Sequence, residues 1–166
     1  MIRDQNGHFV IAGEIFTSHG GKFNFLFLKI DSDGNLLFRY DFGTPDKERA
    51  GFIHNTLDNG YLLVGTSTTD DNRDNDVFVV KTDNDGALEF QASYGDSIYW
   101  QVGRYGIQLD DGSLLICGET GTAANGNDVY LIKTNPGSTS VEPKDDHAIT
   151  LTQNYPNPFS SSTKIT

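Results

Sequence analysis

The stretch that decides the fold is Asn59-Gly60-Tyr61-Leu62-Leu63-Val64-Gly65, because the chain contains it three times. Asn6-Gly7-His8-Phe9-Val10-Ile11-Ala12-Gly13 precedes it, and Asp111-Gly112-Ser113-Leu114-Leu115-Ile116-Cys117-Gly118 follows it. The closing glycines at 13, 65 and 118 are 52 and 53 residues apart. A second set trails each copy: Asn24-Phe25-Leu26-Phe27-Leu28-Lys29, Asp76-Val77-Phe78-Val79-Val80-Lys81 and Asp128-Val129-Tyr130-Leu131-Ile132-Lys133, with lysines two steps of 52 apart. Asp33-Gly34 with Asp85-Gly86, and Gly43 with Gly95, keep the same step. Self-similarity at a fixed period of this size marks a repeat architecture.

Each unit reads as four short strands. Gly51 to Leu57 and Val102 to Leu109 come first, joined to the next strand by the Asx-Gly turns Asn59-Gly60 and Asp111-Gly112. Tyr61 to Val64 and Val77 to Val80 are apolar on successive residues, which predicts burial on both faces. In the last strand Leu88, Phe90, Ala92 and Tyr94 alternate with Glu89, Gln91 and Ser93, and Leu36, Phe38, Tyr40 and Phe42 keep the same parity, so one face should be wet. A four-stranded antiparallel unit of about 50 residues with buried middle strands is the pattern of a β-propeller blade.

The expected fold is therefore all-β, a partial propeller with units near 1–43, 44–95 and 96–135. The first unit is expected to lack its innermost strand and the third its outermost, so the ring would be incomplete. On this reading the chain is a fragment of a longer protein, and unpaired blade edges would invite self-association.

Charge removes one class of partner. The 166 residues include 12 Lys and Arg against 23 Asp and Glu, a net charge of −11 and a pI near 4.5. Nucleic acid demands a cationic face that such a chain does not offer. Apolar runs such as Phe25 to Leu28 fall far short of the ~18 residues a membrane helix needs, so no membrane span is expected. Cys117 is the single cysteine and takes the strand position of Val64, which predicts a small buried hydrophobe. No apolar stretch opens the sequence at Met1, so no signal peptide is read there.

After the repeats the composition changes. Residues 136–150 are rich in Pro, Gly, Ser, Thr and charge, a linker by composition. Then comes Leu151-Thr152-Gln153-Asn154-Tyr155-Pro156-Asn157-Pro158-Phe159, within a segment running from 151 to 166. This stretch resembles the opening of the type A C-terminal sorting domain of the bacterial type IX secretion system, carried by Gln153, Asn154, Tyr155, Pro156, Asn157, Pro158 and Phe159. It departs from that pattern at Ser160-Ser161, where Asn-Pro is usual, and the remainder of the domain is missing from this sequence. The resemblance implies a parent protein of a Bacteroidota-type bacterium, handled by that secretion machinery and secreted or held at the outer-membrane surface. The blades are similar to those of secreted kelch-like and galactose-oxidase-like propellers, a likeness that does not transmit a reaction.

Candidate chemistry is sparse. Asp31-Ser32-Asp33-Gly34 and Asp83-Asn84-Asp85-Gly86 begin like calcium loops but lack the later bidentate Glu, and a strand-to-strand turn explains them better. Asp70, Asp71 and Asp74 crowd one loop and are the stronger calcium candidates, against the reading of a solvated polar loop. The recurring Asn24, Asp76 and Asp128 suggest turn caps. Trp100, Gln101, Arg104 and Tyr105 fall on or beside a channel-lining strand and match Arg49, Phe52 and Ile53 of the preceding unit. Aromatic and arginine groups dominate recognition patches, so Trp100, Arg104, Tyr105 and Arg49 are the ligand candidates, although packing between blades accounts for Trp100 and Tyr105 as well. No catalytic constellation or cofactor motif is present in the sequence. The expectation is a non-catalytic binding or scaffold module with a glycan or protein ligand; the alternative is the propeller portion of an extracellular carbohydrate-active enzyme whose catalytic residues lie elsewhere.

Overall fold

A computed structural model describes residues 1–17, 22–69, 75–95, 99–122 and 126–134. Every regular element among them is a β-strand. The first sheet holds β1 (Ile2–Arg3), β2 (Phe9–Thr17), β3 (Lys22–Ile30) and β4 (Leu36–Phe42). The second holds β5 (Lys47–Asn55), β6 (Tyr61–Thr68), β7 (Asn75–Thr82) and β8 (Leu88–Tyr94). The third holds β9 (Trp100–Gln108), β10 (Leu114–Thr122) and β11 (Gly126–Lys133). Within each sheet the strands are antiparallel and adjacent in chain order.

The sheets stack face to face as successive blades of a partial propeller, without closing a barrel. β5 lies against β2 and β3 of the sheet before it, and β9 lies against β6 and β7. The second sheet is therefore covered on both faces. Its residues Tyr61 through Ser67 and Val77 through Thr82 are buried, which explains the apolar runs Tyr61 to Val64 and Val77 to Val80. Tyr61, Leu63, Phe78 and Val80 face the first sheet with Val10, Phe25, Phe27, Phe42 and Ile53. Leu62, Val64, Val77 and Val79 face the third with Leu114, Ile116 and Ile132. The outer strands are only half covered, with Leu36 59%, Tyr40 41% and Leu88 47% exposed.

Several details differ from the sequence reading. The innermost strand of the first sheet exists as the two-residue β1, in register with Val10 and Phe9. Both full inner strands start earlier than predicted, because Lys47 pairs with Thr68 and Trp100 with Gly121 at the far ends of β6 and β10. The turns are three-residue loops rather than two. In the second unit the Thr56 amide donates to the Gly60 carbonyl and the Asn59 amide to the Thr56 carbonyl. Asn59 takes a φ of 68°, the left-handed place held by Gly7 and Gly112 in the other units. Cys117 is half-buried, because no further sheet covers its face of the third sheet among the described residues.

Candidate functional site

The inner strands carry the site, and their bulges decide which side chains meet. Between Ala50 and Phe52 the β5–β6 register shifts, leaving Gly51 as the extra residue. The β9–β10 register shifts at the same place, leaving Arg104 extra. Tyr105 is therefore the counterpart of Phe52, Arg104 of Gly51, and Gln101 of Glu48. This corrects the sequence alignment by one residue. The extra residue sits between Gly95 and Gln101, and the shorter hairpin between Gly118 and Lys133 restores the step of 52.

With that register, Phe52 and Tyr105 meet from neighbouring inner strands, their rings tilted by 39° at a centroid distance of 4.2 Å. His54 completes the cluster, 6.2 Å from Phe52 and 6.0 Å from Tyr105. Tyr105 is 40% exposed, so the cluster is open to solvent on its side. Beside it Arg104 Nε donates to Glu119 Oε1 at 2.9 Å on the next strand. Both partners of this ion pair are open to water, so it contributes little to stability and stays available for a ligand.

The other predicted ligand residues do not join this cluster. Trp100 is half-buried at the start of β9, five residues from Tyr105 and so about 16 Å away along the strand. Arg49 is exposed opposite Thr66. Gln101 is buried to 1% exposure and Ile53 belongs to the core. The calcium candidates Asp70, Asp71 and Asp74 and the motif from Gln153 to Phe159 lie outside the described residues.

The Asp-Gly loops act as turns. Asp31 Oδ1 accepts the amides of Asp33 and Asn35, and its other oxygen accepts the Asn35 side-chain amide. Asp83 Oδ1 accepts the amides of Asp85 and Ala87. These bonds to the Asn35 side chain and backbone hold the Asp31 carboxyl below its ordinary range. Among the described residues no three His, Cys, Asp or Glu side chains group as a metal site.

Asn24 and Asp76 lie beside the glycines that follow the outer strands. Asn24 Nδ2 donates to Asp41 Oδ2 at 3.1 Å. A Cβ added to Gly43 would lie 2.6 Å from Glu48 Oε2 and 2.7 Å from Asn24 Oδ1. At Gly95 it would overlap Asp76 Oδ1 and lie 2.7 Å from Gln101 Oε1. An acid and an amide thus flank the same glycine at both sheet junctions, with their places exchanged: Asn24 with Glu48, then Asp76 with Gln101.

A polar network escaped the sequence reading. Lys29, 5% exposed, donates to Tyr61 Oη at 2.9 Å, lies 2.8 Å from Asp4 Oδ2, and reaches Asn84 Oδ1 at 3.4 Å. It thereby joins the first sheet to the second. Lys81, 3% exposed, meets Asp58 at 2.9 Å and Glu89 at 2.8 Å within its own unit. Lys133 meets Asp111 at 3.4 Å. The recurrence of the lysines every 52 residues was the available signal, and the acids on the preceding turn were its complement. Burial alone would raise the Asp4 carboxyl, but the Lys29 ammonium and the His8 amide draw it below its ordinary value.

No protein-family model and no curated protein matches the chain. No helix among the described residues is long and apolar enough to cross a membrane.

Proposed function

We propose that the chain is a non-catalytic binding or scaffold module of a secreted or cell-surface bacterial protein exported by the type IX secretion system. The observation that carries the binding role is the solvent-facing Phe52–Tyr105–His54 cluster with the Arg104–Glu119 pair beside it. Ring faces supply apolar contact area at low entropic cost, and a flanking cation and anion orient the polar groups of what lies on them. A glycan or a peptide with an aromatic or planar side chain fits that chemistry. The export role draws its support from the string Gln153 to Phe159.

The test is a panel of extracellular glycans and peptides, screened for saturable binding and then measured by calorimetry. Tyr105→Ala should weaken the best ligand at least about tenfold, in the range of an interface anchor, while Arg49→Ala leaves it unchanged. Equal affinity in wild type and Tyr105→Ala would remove the cluster from the reading.

A further inference from the structure

In the first two sheets the third strand is internal. β3 and β7 are each flanked on the outer side by a seven-residue strand, β4 and β8. In the third sheet their counterpart β11 is the terminal strand among the described residues, paired with β10 alone. Burial differs too, for a second reason: Phe25 and Lys29 lie under the second sheet and Val77 under the third, whereas the face of β11 that carries Val129 and Lys133 has no further sheet over it among the described residues. Phe25 and Val77 are 0% exposed, whereas Val129, in the same place, is 61% exposed. Lys29 and Lys81 are buried, whereas the Lys133 side chain is 44% exposed.

The repeat itself specifies what fills the equivalent edge. Leu36-Leu37-Phe38-Arg39-Tyr40-Asp41-Phe42-Gly43 and Leu88-Glu89-Phe90-Gln91-Ala92-Ser93-Tyr94-Gly95 share Leu-x-Phe-x-x-x-aromatic-Gly. Phe42 pairs opposite Phe25 and Tyr94 opposite Val77, so the final aromatic would lie beside Val129 on the neighbouring strand. Glu89 lies 2.8 Å from Lys81, a charge partner that the exposed Lys133 would accept in the same geometry. Residues 134–166 contain no copy of this pattern.

We infer that the outer edge of β11 is a docking site for an added antiparallel strand of the pattern Leu-Glu-Phe-x-x-x-Tyr-Gly, with its Glu paired to Lys133. The main-chain ladder supplies affinity, and the alternate side chains with the Glu–Lys pair supply selection. The partner is a polypeptide that presents such a segment in extended form.

The probe is a synthetic peptide with the sequence of residues 83–95, labelled for fluorescence anisotropy and titrated into the full 166-residue chain. Saturable binding should appear, with slowed hydrogen exchange along Val129–Lys133, the stretch that matches the part of β7 paired by β8. Lys133→Ala, an exposed change that spares the fold, should weaken the peptide about tenfold, as should Glu to Gln in the peptide. The two changes together should cost no more than either alone. The proposal is overturned if a scrambled peptide binds equally, if the folded chain shows no saturable binding, or if β11 amides already exchange slowly without peptide.

Discussion

Between the first and second sheets the packing is aromatic: Phe25 meets Phe78 edge-on at 5.0 Å and Phe27 meets Tyr61 at 5.4 Å, while Phe38 of the first sheet supports Phe27 at 5.0 Å. Between the second and third sheets the same strand positions carry Val77 and Val79, and the core there is Leu62, Val64, Leu114, Ile116 and Ile132. The inner strands differ in the opposite sense. β5 brings Ala50 and Ile53 to the first junction, while β9 brings Gly103 and Gly106 to the second. Gly103 comes so close that a Cβ would overlap the Gly65 carbonyl and lie 2.8 Å from Val64 Cγ1. One period of 52 residues therefore accommodates two fillings, large rings that hold the sheets together or small residues that let the backbones approach.

The comparison is broken most severely by emptying the aromatic junction. Phe27→Ala should cost about 3–5 kcal/mol, since a buried ring leaves a cavity its neighbours fill only in part. The matching change Val79→Ala removes two methyl groups and should cost about 2 kcal/mol. Urea midpoints of the two variants measure the difference. Equal losses would show that the junctions are equally filled and that the ring contacts add nothing.

The glycine side is sharpened by a reciprocal pair. Gly103→Ala should lose about 1–3 kcal/mol, because the new methyl meets the Gly65 backbone as well as the buried Val64 and Val77 side chains. Its counterpart Ala50→Gly creates no clash and should lose about 0.5–1 kcal/mol, the usual cost of glycine in a strand. Thermal unfolding of both variants, followed by far-ultraviolet dichroism, decides the matter. A Gly103→Ala protein as stable as wild type would mean that β9 can shift outward freely.

These differences also separate what the sequence could reveal from what it could not. The strands and the double burial of the middle sheet are legible, because period and face are written in alternate residues such as Leu62 and Leu63. The pairing of Phe52 with Tyr105 was hidden by a bulge in each inner strand and one extra residue before Gln101, which no hydrophobic pattern records. The Lys29 bridge was hidden for another reason. A lysine after an apolar strand reads as a strand end at the surface, and only the stacking of Tyr61 and Asn84 above it makes it a buried link. The acid and amide exchanged around Gly43 and Gly95 are visible only when both junctions are superposed.

The smallest effect concerns the two lysine clusters. Burial would raise the Asp58 carboxyl, yet the Thr56 hydroxyl, the Lys81 ammonium and the Gly60 amide together hold it at about 2, against 3.8 ordinarily. A carboxyl depressed on folding stabilises fully above its unfolded value and loses that contribution as pH falls through its folded one. Asp58 therefore contributes above about pH 4, and its part fades between about pH 4 and 2. Asp4 is depressed in the same direction, whereas Lys29 is raised, so its contribution is full below 10.5 and lost as pH climbs past its folded value. The Asp58 and Glu89 side chains are 47% and 41% exposed, so salt screens their pairing with Lys81, while Asp4 and Lys29 are 4% and 6% exposed and largely shielded. Asp58→Asn should change stability at pH 7 by less than about 1 kcal/mol and flatten the acid limb between about pH 4 and 2. In 1 M salt the variant and wild type should converge, because the interaction removed was one that ions already screen. A difference that survives high salt undiminished would place the Lys81 cluster in the same shielded class as the Lys29 bridge, although one lies within a unit and the other joins two.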